Sequence, residues 1–277
     1  MSFRRTAGLL LRQFYLLRSS PTRFLPLFAW VTIDIVLWGF ITRYLNSVSA
    51  ARFNFVPTML GAVLLWDFVV RVMQGITTAF LEDVWSRNFL NLFASPLSVS
   101  EYLSGLVLTS IATSSVGLIV MIALATLVFG LSFFIYGAML AGFLLVLFLF
   151  GIALGIFGCA LVLRFGPAAE WFIWPIPAFI SPLACVFYPR SVLPHWMQWL
   201  SSLVPPSYVF EGMRQMLARQ TGGQVQMSGH ALAATHLIAG AALAVLYLLL
   251  MARAFTMVYR HAVRTGLIAR YSAETVS

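Results

Sequence analysis

The sequence predicts an all-α polytopic membrane protein, and three observations lead to that prediction. Only 9% of the 277 residues are charged, whereas soluble domains carry about 25%. Apolar residues make up 61% of the chain, which is more than a soluble globule of this size can bury. Long stretches, residues 102–163 and 220–252, contain no charged side chain. This composition excludes a soluble domain and a disordered chain.

The predicted elements form a single transmembrane domain, 1–277, with six spans. A hydrocarbon core about 30 Å thick needs about 20 helical residues to cross it. The longest uncharged stretch supplies two crossings, with a break near Gly130. Two earlier crossings contain charged side chains, and a crossing rich in Trp, Phe and Pro precedes the last one. The predicted spans are residues 24–46, 57–80, 105–130, 134–163, 170–187 and 230–255.

The distribution of Arg predicts the orientation of these spans, because short cytoplasmic loops are enriched in basic residues. Arg residues are concentrated before residue 24, at Arg87, at Arg164 and after residue 252. Both termini, including a tail at 256–277, are therefore predicted to be cytoplasmic. The net charge of +9 is a topology signal and an attraction to anionic lipid, and no nucleic-acid partner is predicted.

The amino terminus, residues 1–22, predicts an amphipathic helix that lies in the cytoplasmic interface. Its apolar side carries Phe3, Ala7, Leu10, Phe14 and Leu17. Three Arg residues lie on its other sides. Arg12 interrupts the apolar run that follows Arg4 and Arg5, so no cleaved signal is predicted.

Several kinds of chemistry are excluded by what the chain lacks. All 17 basic residues are Arg, so these residues contain neither a Walker A phosphate loop nor a Schiff-base lysine. Cys159 and Cys185 have no CxxC spacing and are interpreted as buried, inert thiols. The four His residues are scattered, and His195 is interpreted as an interfacial residue. No catalytic site, no metal site and no cofactor on this chain are predicted.

The cytoplasmic loop after span two reads LEDVWSRNFLNLFASPLSVSEYLSG from Leu81. It predicts a helix at residues 82–97, with carboxylates in the first turn, an apolar face and a proline at the end. The residues concerned are Glu82, Asp83, Trp85, Phe89, Leu92, Phe93 and Pro96. Such a helix either lies on the bilayer or fills a groove on a soluble partner.

The outer segment, residues 188–214, is divided by prolines into apolar pieces too short to span a bilayer. These pieces are interpreted either as short re-entrant helices or as an interfacial belt of Trp residues.

Charged side chains inside the predicted spans form a second candidate site. Asp67 and Arg71 are four residues apart on one helical face and can pair. The pair is either a structural staple between spans or part of a transport path. Asp34 has no partner at four-residue spacing, so its partner is Arg71, Arg43 or water. In span four, Gly151, Gly155 and Gly158 predict close helix packing within the protomer.

Together, the inner loop and the outer segment resemble the membrane permeases of type-2 ABC exporters, over essentially the whole chain. The inner loop has the small-Pro-Leu turn of that family, followed by an acidic residue and Gly105. The outer segment carries its signature at Tyr188, Pro189, Leu193, Pro194, Trp196, Pro205, Tyr208 and Arg214. The chain departs from the family at Val204, where Asn is frequent, and at Glu170, near which an Arg-Asp pair is frequent.

The resemblance implies a permease half that pairs with a second copy, as a homodimer, and with separate ATPase subunits that hold ATP and Mg. Residues 82–97 would be the coupling helix that docks on the ATPase, and residues 181–212 would form two re-entrant helices. A lipid, drug-like molecule or (lipo)saccharide would leave a bacterial inner membrane between the two protomers. Independently of the resemblance, the hypothesis from the charges is that Asp34, Asp67 and Arg71 face this protomer interface. The alternative is an ion-coupled secondary carrier that uses these three residues and needs no ATPase.

Overall fold

The structure, a computed structural model, describes residues 3–19, 21–48, 59–86, 97–131, 133, 137–218 and 228–266. Helices and their connections account for these residues, and no strand occurs among them. The all-α prediction is therefore confirmed for this part of the chain. The helices are α1 (Phe3–Ser19), α2 (Pro21–Val48), α3 (Gly61–Trp85), α4 (Val99–Phe129), α5 (Met139–Phe165), α6 (Glu170–Ile173), α7 (Ile176–Ala184), α8 (His195–Ser201), α9 (Pro205–Ala218) and α10 (Ser228–Arg264).

Four helices are long and apolar enough to cross a membrane. They are α3, α4, α5 and the Leu232–Arg264 part of α10. This finding agrees with a multi-pass membrane protein but does not confirm the predicted count of six spans. The helix α2 contains the whole of the first predicted span, residues 24–46, within its 28 residues.

The fifth predicted span, residues 170–187, is not one continuous helix. Helix α6 has four residues and α7 has nine, and Trp174 and Pro175 separate them. Proline lacks an N–H group and its ring clashes with the preceding helical turn. The break lies at Trp174 and Pro175, whereas Pro177 is in the first turn of α7 and Pro182 lies inside this helix.

Helix boundaries elsewhere follow recognisable capping residues. Gly130 has a left-handed backbone (φ 67°) and ends α4, at the predicted break between spans three and four. At the other end, Ser98 and Glu101 form a capping box, in which each side chain accepts a hydrogen bond from the backbone N–H of the other. This box satisfies N–H groups at the start of the helix, and α4 therefore begins at Val99, before the start of the predicted third span at residue 105.

The core is built by α3, α4, α5, α9 and α10. Helices α3 and α5 approach closely at the glycines of the GxxxG pattern. A Cβ atom at Gly151 would lie 2.8 Å from the Val72 Cβ, and one at Gly155 would lie 2.8 Å from the Ile76 Cβ. Side chains would not fit at this distance. The predicted packing of this pattern within one protomer is confirmed.

Candidate functional site

The structure describes three of the seven predicted coupling residues. Glu82, Asp83 and Trp85 are described by the structure. The other four predicted coupling residues, Phe89, Leu92, Phe93 and Pro96, lie outside the described residues.

Glu82 and Asp83 do not start a separate helix, and that part of the prediction is wrong. Both residues lie in the last turn of α3, which continues to Trp85. The apolar periodicity of span two continues through Phe80 and Leu81, so the helix has no reason to stop there. Carboxylates are unfavourable at the negative end of a helix dipole, and this position therefore requires compensation.

Compensation for Asp83 comes from two other helices. Its carboxylate is 1% exposed and accepts a hydrogen bond from the Arg12 guanidinium of α1, with which it forms an ion pair. It also accepts a hydrogen bond of 2.8 Å from the Tyr102 hydroxyl of α4. We call Arg12, Asp83 and Tyr102 the Asp83 cluster. Asp83 thus points into the protein, rather than toward a soluble partner.

A second ion pair connects α1 to the start of α4. Glu101 is 3% exposed, and its Oε2 accepts from the Ser98 backbone N–H at 3.0 Å. The same oxygen lies 3.5 Å from Nη1 of Arg5, whose side chain is 46% exposed. This is a long and partly solvated pair, which is weak in comparison with a buried one. Helix α1 is therefore attached to both helices that flank residues 87–96.

Of the charged residues in the predicted spans, Asp67 and Arg71 form the predicted ion pair. The Arg71 Nε donates to the Asp67 Oδ2 at 3.0 Å, with the side chains 9% and 19% exposed. The Arg71 stem also packs on α4, because a Cβ atom at Gly117 would lie 3.3 Å from the Arg71 Cδ. Asp34 of α2 interacts electrostatically with both Asp67 and Arg71.

In the outer segment, prolines mark where the backbone leaves and enters helices. Pro189 precedes a single 3-10 turn, Arg190–Val192, and Pro194 precedes α8. Pro205 is the first residue of α9, where its missing N–H costs nothing. The structure thus places two short helices in this segment.

Three side chains of the outer signature donate hydrogen bonds to backbone carbonyls. Arg214 of α9 donates from Nη1 to the Cys185 carbonyl at 2.9 Å and from Nη2 to the Tyr188 carbonyl at 2.7 Å. The Tyr188 hydroxyl donates to the Pro182 carbonyl at 2.9 Å. The Tyr208 hydroxyl donates to the Ser202 carbonyl at 3.0 Å. The hydrogen bonds of Arg214 and Tyr208 connect α9 to the residues that follow α7 and α8.

The remaining signature residues are apolar, and their environments differ. Leu193 is 8% exposed and belongs to the buried side of the segment, whereas Trp196 is 66% exposed. Trp199, three residues after Trp196 on α8, is 65% exposed. The aromatic face of α8 is therefore directed away from the described core.

No group of three or more His, Cys, Asp or Glu residues that could hold a metal ion occurs in the described ranges. Cys159 and Cys185 are free and buried.

Sequence reasoning missed the contribution of Arg12 and Tyr102. The Ser98-x-x-Glu101 spacing is a readable capping signal and would have placed the start of α4. The Arg12–Asp83 pair joins residues 71 apart in the chain, and no sequence spacing indicates it.

The family model described as "ABC-2 family transporter protein" matches residues 38–253. No curated protein sequence matches the chain. The family match gives no support to the ion-coupled carrier.

Proposed function

The chain belongs to the ABC-2 family of transporter proteins, and from this premise we propose that it is the permease half of an ATP-driven exporter. Members of this family form the membrane subunit and not the ATPase itself. The family implies partnership with an ABC ATPase subunit. The proposed reaction is outward transport across the membrane, driven by ATP that binds and is hydrolysed on the partner.

The family match over residues 38–253 is the observation on which this proposal rests. The composition agrees with it, because a chain without Lys has no P-loop lysine to contact phosphates. The energy for transport would therefore come from outside these 277 residues, and the proposed source is a separate ATPase subunit. In the proposed complex, ATP and Mg are bound by the ATPase, and no cofactor is bound by this chain.

Residues 87–96 are the proposed contact with the ATPase. They connect α3 to α4 and carry the aromatic side chains of Phe89 and Phe93. Trp85, the last residue of α3, is 53% exposed next to this connection. An aromatic face of this kind fits an apolar groove on a soluble subunit.

The test is to replace Phe89 and Phe93 by Asp and to measure co-purification of the ATPase subunit with the permease. We expect the double variant to insert into the membrane normally and to lose the ATPase, because two charges would be buried in an apolar contact. Vanadate-sensitive ATP turnover should disappear from the preparation together with the subunit. Retention of the ATPase would place this segment on the bilayer surface, and transport driven by a proton gradient alone would favour a carrier.

The proposed transport path runs between two copies of the chain, in a bacterial inner membrane with both termini cytoplasmic. The exposed aromatic side chains of α8 support a substrate with an apolar part, since they offer contact surface on the outer side. We propose a lipid, a drug-like molecule or a (lipo)saccharide as substrate. The helices α8 and α9 would be the re-entrant helices at the exit.

A further inference from the structure

The Asp83 cluster joins three helices at one carboxylate. Arg12 belongs to α1, Asp83 to the last turn of α3 and Tyr102 to the first turn of α4. Residues 87–96, the proposed ATPase contact, lie between the last two of these. The cluster therefore fixes both ends of that connection to the same amino-terminal helix.

Burial makes this attachment sensitive to the loss of either charge. Asp83 is 1% exposed and Tyr102 is fully buried, so water cannot replace the guanidinium as partner. The side chain of Arg12 is 27% exposed, and its Nη1 is buried without a hydrogen-bond partner in the described part of the chain. Removing one member of such a pair leaves an uncompensated buried charge, whereas removing both does not.

Packing adds a second constraint on α1. A Cβ atom at Gly105 of α4 would lie 2.7 Å from the Leu9 Cδ1 and 3.0 Å from the Leu9 Cβ. The polar side chains of Thr6 and Gln13 are 5% and 6% exposed. Helix α1 therefore packs on α4 through Leu9, in addition to the Arg5–Glu101 pair.

From this geometry we infer that Arg12 and Asp83 are positioning residues for coupling, which make α1 move with α3 and α4 as one body. The inference rests on the proposed function, because it requires an ATPase acting on residues 87–96. A force applied to that connection would reach α1 through the Asp83 cluster. Without the cluster, α1 would keep its packing on α4 and the long Arg5–Glu101 pair, but it would lose its direct attachment to α3, and the three helices would no longer move as one body.

The first measurement is a distance between two spin labels in the complex of permease and ATPase. The labels are attached at Gly8→Cys on α1, where a side chain meets nothing within 4 Å, and at Leu108→Cys on α4, which is 37% exposed. Cys159 and Cys185 are buried, and the parent without added cysteines gives the background. We expect one narrow distance that is the same without nucleotide and with ATP and vanadate.

The second measurement compares Arg12→Gln, Asp83→Asn, the double variant and Tyr102→Phe. We expect each charge variant to broaden the label distance and to lower ATP turnover of the complex by about tenfold, the effect of roughly one charge-assisted hydrogen bond. Tyr102→Phe keeps the ion pair and should have a smaller effect. Arg260→Gln, on an exposed position of α10, is the control and should change neither quantity.

The double variant separates positioning from a purely structural role. It buries no unpaired charge, so we expect its thermal unfolding midpoint to recover while the broad label distance and low turnover remain. Recovery of turnover together with stability would overturn the inference. A parent label distance that changes with ATP and vanadate would also overturn it. Failure of the parent to bind an ATPase would instead overturn the proposed function, and the inference with it.

Discussion

Arg71 illustrates how a single charge is accommodated inside this helical bundle. Its guanidinium pairs with Asp67 on the same helix, one turn away, at 3.0 Å. Its aliphatic stem covers the small Gly117 on α4, and Asp34 of α2 supplies a further carboxylate within electrostatic range. The group thus interacts with three helices. Contacts of this kind are expected of a staple between spans, although a charge in a span is also a functional hypothesis by default.

Neutralising Asp67 and Arg71 tests whether the pair is a structural staple between spans or part of the transport path. We expect Asp67→Asn and Arg71→Gln to lower the yield of folded protein individually, because each leaves an unpaired charge in an apolar environment. The double variant should regain most of the yield, measured by size-exclusion chromatography in detergent. If the double variant reaches full yield but transports nothing, the pair serves transport. A double variant as poor as the singles would contradict the staple.

At the scale of helices, the contact between α3 and α5 depends on missing side chains. The Gly155 Cα faces Ile76, and a Cβ atom there would also lie 3.1 Å from the Met73 carbonyl oxygen. A backbone atom cannot rotate away as a side chain can. In a membrane, where apolar burial gives little driving force, close approach of this kind supplies much of the packing energy.

Substitution of Gly155 by Val should therefore separate these two helices. We expect it to cost about 1–3 kcal/mol of folding free energy, the usual penalty for overpacking, and to lower the midpoint of thermal unfolding in detergent. Gly8→Ala on α1 is the matched control, because its Cβ meets nothing, and it should leave the midpoint unchanged or raise it. Equal midpoints for Gly155→Val and the parent would show that α3 and α5 pack less closely than described.

Hydropathy predicted the long helices well, because a continuous apolar stretch of about 20 residues has the length of a membrane-spanning helix, in which the backbone groups bond to one another. At residues 170–187, hydropathy alone did not indicate the interruption of the helix at Trp174 and Pro175. The charged residues Glu82 and Asp83 lower the hydropathy after Leu81, so the last turn of α3 was assigned to the following connection, although the helix continues to Trp85. Helix ends are set by capping and by tertiary contacts, and the local sequence shows only capping signals such as the Ser98–Glu101 box and Gly130.

The candidate sites differ in how far sequence could locate them. Spacing predicted the Asp67–Arg71 pair, since four residues make one helical turn. Arg214 and Tyr188 were identified by resemblance, but their role as donors to carbonyls depends on the fold of the turn at Cys185. The partner of Asp83 was beyond sequence reasoning, because Arg12 reaches it only when α1 rests on α4.

For the whole molecule, the spacing of charged residues along α3 indicates how deep each of them lies in the membrane. Asp83 and Arg71 are separated by about 18 Å along the helix axis, and Asp83 and Asp67 by about 24 Å, at about 1.5 Å per residue. A hydrocarbon core is about 30 Å thick. If the Asp83 cluster lies at the cytoplasmic boundary, the Asp67–Arg71 pair lies in the outer half of the membrane, toward the side of α8 and α9.

This arrangement requires that α1 and the end of α10 are cytoplasmic and that the outer segment is not. Single cysteines at Gly8, at Thr265 and at Val192, which is 67% exposed, test the requirement with a membrane-impermeant maleimide on intact cells. We expect Val192→Cys to react at once, and Gly8→Cys and Thr265→Cys to react only after permeabilisation, because the Arg-rich ends stay inside. The parent gives the background from its two buried cysteines. Labelling of Gly8→Cys in intact cells would show that the predicted orientation in the membrane is inverted. The Asp83 cluster would then lie on the outer side, where no ATPase can reach it.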